Sequence, residues 1–406
     1  MKTWLIWLKF AWQNTLRNRR RSLVTAAIAA LGSAAILLAS GFALYTYESL
    51  AEATARDSGH LVLGTPAHFS SDEEIPLQHG LSQVNRLRAT LLADERVRHV
   101  LPRVAFTGLI SNGDKSTVML AAGIDPDSEF AVKGPFLTLT AGTLLTADAA
   151  RPQAMLGADL ARSLKARPGD GLTLLASTTE GAMNAMDVTV AGVFTTGVPE
   201  VDKRMVYTSV DTAQRLLVTD KVSSLGVFLD RMDATDSARQ RLAAQFPELS
   251  VHSWEQEAVF YQAVRNLYNR IFGALGIIIA VIVVFVVANA MAMAIIERTR
   301  EIGALRALGT LPRQVLLMLG LEGALLGSLG AAVGALLALA ASLLLYVFPV
   351  DMPPPGRTTG YPLHVTIDPT LYALTMLAMI ALTLMASLAV ARKTVHLPVV
   401  DALAHT

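Results

Sequence analysis

The sequence predicts an α-helical membrane protein with four transmembrane helices and a large α+β domain, outside the membrane, inserted between helices 1 and 2. Three observations predict it. Hydrophobic residues make up 52% of the 406 residues and charged residues only 17%, too apolar for one soluble globule. Four runs carry no charged side chain: Leu23–Thr46, Ile271–Ile296, Gly323–Val350 and Pro369–Ala391. Each exceeds the about 20 residues that cross a hydrocarbon core as a helix, and an isolated span in lipid must satisfy its backbone internally. Between the first two runs lie roughly 220 residues of ordinary polar composition, enough to close a core of their own.

Taken in order, residues 1–22 read as an N-terminal interfacial helix. Trp4, Leu5, Trp7, Leu8, Ala11, Trp12 and Leu16 recur at helical spacing, with Lys9, Gln13, Asn14 and Arg17 elsewhere around the turn. Three tryptophans beside basic residues suit the headgroup region. Residues 23–46 are the first span. The run is too long, and starts too late, for a cleaved signal segment.

Residues 47–268 form the outside domain. Strand-like runs Ser116–Ala122, Leu172–Ala176, Asp187–Phe194 and Leu225–Leu229 alternate with helix-like stretches Leu81–Ala93, Asp211–Leu217 and Ala234–Gln245. Turn signals at Asn112-Gly113, Pro168–Gly171 and Gly197–Pro199 separate them. The strand- and Gly-rich stretch 134–195 reads as a subdomain. The second span is 269–296, the segment between spans two and three is 297–312, and the third span is 313–347. A Pro-rich loop occupies 348–368, the fourth span 369–391 and a tail 392–406.

Lys and Arg near the span ends set the orientation. Lys2, Lys9, Arg17 and Arg19–Arg21 precede span one; Arg298, Arg300, Arg306 and Arg313 join spans two and three; Arg392 and Lys393 follow span four. The loop 348–368 carries only Arg357. Both termini and the 297–312 segment are therefore expected in the cytoplasm, the large domain on the opposite side.

Chemistry is sparse. The chain has no Cys and no Gly-Lys pair, so thiolate chemistry and a phosphate-binding P-loop are absent. The net charge of +1 gives no field for nucleic acid. His60, His68, His79 and His99 stand at no metal-ligand spacing and read as surface residues. Asp125-Pro126-Asp127 reads as a turn. No catalytic site, metal site or cofactor is predicted in this chain. Within the spans, Asn289 reads as an interhelical hydrogen-bonding group. Glu322 is either a functional carboxylate at membrane depth or a group meeting a helix partner or the interface. Gly323/Gly327 and Gly330/Gly334 are small-xxx-small pairs that let helices approach closely.

The informative segment is Glu297-Arg-Thr-Arg-Glu-Ile-Gly-Ala-Leu-Arg-Ala-Leu-Gly309. It reads as a helix continuing span two, with Glu297 and Arg300 spaced i,i+3. Ile302, Leu305 and Leu308 form a short apolar stripe. Gly309 fits a helix stop, and Pro312 a new helix start. A loop that only fixes topology explains the arginines but neither the helix nor the stripe. A docking element for a cytoplasmic partner explains all three.

At these residues the sequence resembles the FtsX/MacB-type (type VII) permeases of ABC transporters. Glu297–Gly303, Leu305-Arg306-Ala307 and Gly309 carry the resemblance most strongly. Glu322 with Gly323 and Gly327, the opening Asn14–Ser22, Gly123–Pro126 and Val206-Tyr207 add to it. The layout of one span, a large outside domain and three further spans matches over the whole chain and is LolC/LolE-like, without a fused ATPase.

The resemblance implies a MacB-like periplasmic domain and a permease subunit of the bacterial inner membrane working by mechanotransmission. ATP and Mg would belong to a partner ABC ATPase dimer. Glu297, Arg298, Arg300, Glu301, Gly303, Arg306 and Gly309 would be the ATPase-coupling residues. It also implies a second permease (as homodimer or heterodimer), contact with membrane lipid, and a periplasmic adaptor or lipoprotein partner. The substrate would be lipoprotein, lipid, peptide or drug. The alternatives are a regulatory permease that activates a periplasmic hydrolase, and a membrane-anchored periplasmic enzyme or sensor.

Overall fold

Each uncharged run falls wholly or almost wholly within one long helix. The computed structural model describes residues 11–15, 17, 19–70, 75–134, 137–147, 151–352 and 361–395. The tryptophan pattern before Phe10, Leu16, the prolines 353–355, Arg357 and the tail beyond Val395 lie outside the described residues.

The chain divides into two compact units. One holds the long helices: α1 (Arg19–Ser58) as far as Tyr47, and the chain from Arg265 onward apart from Met352–Tyr361. The other, Glu48–Val264 with Met352–Tyr361, is the α+β unit.

In the α+β unit, β1 (Leu61–Gly64) leads to α2 (Val84–Leu92), β2 (Val97–Ser111) and β3 (Ser116–Ile124). Then come α3 (Pro126–Lys133), β4 (Thr138–Gly142), β5 (Gln153–Gly157), α4 (Ala158–Leu164), β6 (Gly171–Ser177) and β7 (Met183–Thr195). The unit continues with β8 (Met205–Ser209), α5 (Val210–Leu217), β9 (Ser224–Leu229), α6 (Thr235–Gln245) and β10 (Ser250–Ser253).

The pairing closes on itself. β2 pairs with β3, β3 with β8, β8 with β5, β5 with β7, β7 with β6, and β6 returns to β2. Closure leaves these six strands without a free edge in the ring. β9, β1 and β10 extend the sheet from β2, and β4 pairs with β7.

The length of β2 makes this possible. Val97–Arg103 pairs with β9, whereas Val104–Ser111 pairs with β3, so one strand serves two sheets. Alternation does the rest. Val104, Phe106 and Ile110 are buried, and they meet Leu156, Val190 and Val206 in one apolar core. α5 is strongly one-sided, burying Ala213, Leu216 and Leu217 under the sheet, with Ser209 capping its start. Asp125-Pro126 starts α3 rather than forming an isolated turn: Pro126 takes the first helical position.

In the helical unit, α7 (Val259–Glu297) is followed by α8 (Thr299–Ala307), α9 (Pro312–Val347) and α10 (Pro369–Val395). Among the described residues α1, α7, α9 and α10 are four helices long and apolar enough to cross a membrane. The glycines of α9 decide how they meet. A side chain at Gly323 or Gly327 would overlap Ser387 or Thr383 of α10, and one at Gly330 or Gly334 would overlap Ala29 or Ser33 of α1. One helix thus brings two neighbours in on separate faces, where close backbone approach is available only without a Cβ. Ser387 Oγ donates to the Leu319 carbonyl at 2.6 Å across the first contact. After α9 the chain returns over α1. The Thr366 amide donates to the Gly41 carbonyl at 3.1 Å, and Gly41 lacks the Cβ that would strike Val365.

Candidate functional site

The seven predicted coupling residues sit at one end of the helical unit, on and around α8. The expected continuous helix is broken. α7 stops at Glu297, Arg298 takes a non-helical backbone (φ −110°, ψ 12°), and α8 restarts at Thr299. The break turns Arg298 inward. Its side chain is 6% exposed, and Nη1 donates to Glu322 Oε2 of α9 at 3.4 Å. Nη2 donates to the Asn14 carbonyl at 3.4 Å. A lone buried guanidinium or carboxylate would be costly; paired, each supplies what the other lacks. Glu322 therefore meets a charged partner on a neighbouring element.

Two further pairs tie the same turn to the segment before span one. Arg21 Nη2 donates to Glu297 Oε1 at 2.5 Å, and Arg17 Nη2 to Glu301 Oε1 at 2.9 Å. Both are solvent-accessible and add register more than stability. From sequence, Arg17 and Arg21 are topology-setting charges within the Asn14–Ser22 opening segment, not partners of this turn. Their four-residue spacing, matched by that of Glu297 and Glu301, was the available signal.

The stripe on α8 is split, contrary to the reading of one continuous docking edge. Ile302 is buried in the apolar cluster that also holds Ile295 and Val315 of the chain's own helices, because the break at Arg298 rotates that position toward the bundle. Gly303 is buried beside it. Leu308 is 85% exposed, and Leu311 60%. Arg300 is exposed and Arg306 half-buried. Gly309 ends the helix at φ 96°. Its amide donates to the Arg306 carbonyl and the Thr310 amide to Leu305, the paired bonds of a Schellman stop.

The turn is therefore anchored on one side and free on the other. Glu297, Arg298 and Glu301 face the chain itself, while Arg300, Leu308 and Leu311 face outward. Arginine–carboxylate pairs join the turn to Arg17 and to Arg21 of α1, and the buried pair joins it to α9. Asn289, expected to bond a neighbouring helix, is exposed on α7 and has no hydrogen-bond partner among the described residues.

A second ionic cluster lies inside the α+β unit, at the far end of α1. Lys133 Nζ of α3 lies 2.7 Å from Asp57 of α1, 3.2 Å from Glu129 and 3.1 Å from the Tyr207 hydroxyl. Arg103 of β2 bonds the other side of the cluster, 2.8 Å from Glu129. Burial alone would pull the Lys133 ammonium down. Asp57, Tyr207 and Glu129 outweigh it, and the net shift is upward. Sequence reading missed this cluster, because its members lie on α1, β2, α3 and β8 with no common spacing. His60 is not a surface group: its Nδ1 accepts from the Leu229 amide at 2.8 Å. Among the described residues no group of three His, Cys, Asp or Glu side chains converges to hold a metal.

Comparison with known proteins agrees with this layout. Residues 22–245 match the MacB-like periplasmic core domain family, and residues 273–399 the FtsX-like permease C-terminal family. The lipoprotein-releasing system transmembrane protein LolC of Xylella fastidiosa (strain 9a5c) is 25% identical over 248 residues, 60% of each chain. LolC of Neisseria meningitidis serogroup B is 28% identical over 246 residues, covering 57% of this chain and 58% of that protein. LolE of Haemophilus influenzae is 24% identical over 268 residues, 62% of this chain and 63% of that one. The chain thus matches about three-fifths of the length of these relatives.

Among solved structures, the periplasmic region of MacB from Actinobacillus actinomycetemcomitans aligns with 51% of this chain and 92% of its own, at 16% identity and TM-score 0.36. The extracellular domain of the noncanonic ABC-type transporter YknZ from Gram-positive bacteria aligns with 48% of this chain and 99% of its own, at 15% identity and TM-score 0.35.

Proposed function

Since the chain belongs to the MacB-like periplasmic core domain family and ends in an FtsX-like permease module, we propose that it is the permease subunit of an ABC transporter that works by mechanotransmission. One observation carries this reading: α8 is braced to two membrane helices by Arg298, Glu297 and Glu301, yet turns Arg300, Leu308 and Leu311 outward. A turn that only fixed topology would need neither brace nor outward apolar groups.

In this reading a separate ABC ATPase dimer, which binds ATP and Mg, seats on the outer face of α8. The exposed leucines fill its groove and Arg300 and Arg306 set the register. Gly303 lets α8 lie close to the bundle, and Gly309 shapes the exit. Closure of the ATPase pushes the turn. The pairs to Arg17 and Arg21 then move α1, whose other end is tied by Asp57 to Lys133. The periplasmic domain moves with it and works on a substrate outside. The arginine-rich ends of the helices face the cytoplasm of a bacterial inner membrane, and a second permease completes the pair. The relatives' role in lipoprotein release favours a lipoprotein substrate.

The test is co-purification in mild detergent followed by ATPase assay. The intact chain is expected to bring down an ABC ATPase and alter its turnover. Arg300→Glu with Leu308→Asp is expected to lose both while the chain still folds. Unchanged capture and turnover in that variant would refute the reading.

A further inference from the structure

We infer that a cavity in the α+β unit is a binding site for a neutral, largely apolar molecule that carries an ester or amide carbonyl. The inference goes beyond the permease reading and does not depend on it. The cavity has a volume of about 500 Å³, and every residue lining it belongs to the α+β unit. Small-molecule sites run to roughly 300–1,000 Å³ and are mostly apolar, with a few placed polar groups. Leu50, Leu137, Val198 and Met205 give this one apolar walls. Val201 and Phe260 also line it and are 37% and 56% exposed, so the cavity is open to a ligand.

The polar lining decides what that ligand is. An ammonium has three donors, and Lys133 directs them at Asp57, Glu129 and the Tyr207 hydroxyl, at 2.7, 3.2 and 3.1 Å. Arg56 pairs with Glu52 at 2.6 Å. An entering anion would find these cations already engaged and would face Asp57. An entering cation would face Lys133 and Arg56. Burying either charge without a partner is costly, so a neutral molecule is favoured.

Tyr207 supplies the contact for a carbonyl. Thr54 and Thr196 also line the cavity, but their hydroxyls donate to the Leu50 carbonyl and to Asp202, each at 2.8 Å. Tyr207 is 4% exposed. Its oxygen accepts from Lys133, and its own proton has no acceptor among the described residues. Burial pushes its pKa up, so the hydroxyl keeps that proton. A buried donor left without an acceptor is costly. A carbonyl oxygen would take the proton's bond, while the apolar remainder of the molecule leaves water for the cavity walls.

The test uses the whole chain in nanodiscs of phosphatidylethanolamine and phosphatidylglycerol. A monoacylglycerol with a diazirine on its acyl chain is cross-linked by light, and labelled peptides are mapped by mass spectrometry. Label that free ligand displaces is expected on peptides holding Leu50, Leu137 or Val198. Monolaurin, an ester, is expected to displace it at a concentration roughly threefold to tenfold lower than the dodecyl ether of glycerol, which lacks the carbonyl. Dodecanoate and dodecyltrimethylammonium should displace it less well than monolaurin. Tyr207→Phe is expected to keep the label and erase the preference for ester over ether. Ala53→Trp, which fills the cavity from α1, is expected to lose the label.

An α+β unit with no displaceable label would overturn the inference. So would equal displacement by ester and ether, stronger displacement by either ion, or an ester preference that survives Tyr207→Phe. The ATPase takes no part in this measurement, so either outcome leaves the permease reading where it stands.

Discussion

The Arg298 guanidinium lies 3.4 Å from the Glu322 carboxylate, each side chain only 6% exposed, joining the break between α7 and α8 to the side of α9. Removing one partner strands the other charge. Arg298→Met or Glu322→Leu alone is expected to cost about 3–5 kcal/mol, read as a lowered Tm of the detergent-solubilised protein. The double variant is expected to recover most of that loss, because a buried pair replaced by apolar groups is often neutral. On the proposed permease reading it should still couple poorly to an ATPase partner, since the hydrogen bond to the Asn14 carbonyl is also gone.

Gly327 and Gly330 face different helices, Thr383 of α10 and Ala29 of α1. Gly327→Val should therefore part α9 from α10, and Gly330→Val should part α9 from α1. Overpacking costs typically about 1–3 kcal/mol. The expected signature is lower Tm in both variants. Faster proteolysis is expected at the loop beyond Val350 in the first, and near Arg21 in the second.

Gly309 holds φ at 96°, a region that costs an L-residue roughly 1–2 kcal/mol. On the proposed permease reading, Gly309→Asn is expected to keep most stimulation of the partner ATPase, because Asn tolerates this backbone best, and Gly309→Val to lose most of it. Equal stimulation by the two variants would show that the exit of α8 need not be shaped this way.

His60 is held below its ordinary pKa of 6.5 by burial first and Arg56 second. The folded state thus prefers the neutral ring, whose Nδ1 accepts from the Leu229 amide. That stabilisation is full above pH 6.5 and is lost as pH falls through the lowered folded value, since the unfolded chain binds the proton more readily. Hydrogen exchange at Leu229 is expected to accelerate between pH 7.5 and pH 5, beyond the intrinsic pH effect. His60→Asn should remove that excess.

Lys133 balances Asp57 and Glu129 in the α+β unit. Lys133→Met leaves the buried Glu129 with Arg103 alone and is expected to destabilise this unit by about 3–5 kcal/mol, seen as early loss of Trp254 burial on heating. Because the folded pKa is raised, the ammonium's contribution is complete below its ordinary 10.5 and is lost only as pH rises through the raised value. Stability at this site should be flat from pH 6 to 9.

The spans were legible because absence of charge over many residues is a local property that no tertiary contact changes. β3, β6 and β7, with α2 and α5, were legible for a related reason: alternation and amphipathic period are written within each element. β2 was not. Pro102 argues against a central strand, and only closure of the six-stranded ring gives such a strand two sets of partners.

The coupling segment was located by its motif but not resolved by it. Glu297, Arg298, Arg300 and Glu301 are alike in sequence as charged residues of a short turn. The sequence by itself determined that the chain crosses a membrane and where its turn lies, since both follow from composition along the chain. The folded structure decided which of those charges face inward. That depends on Arg21 and Glu322, remote in sequence and brought near only when the helices pack, so that desolvation rather than residue type assigns each side chain its side.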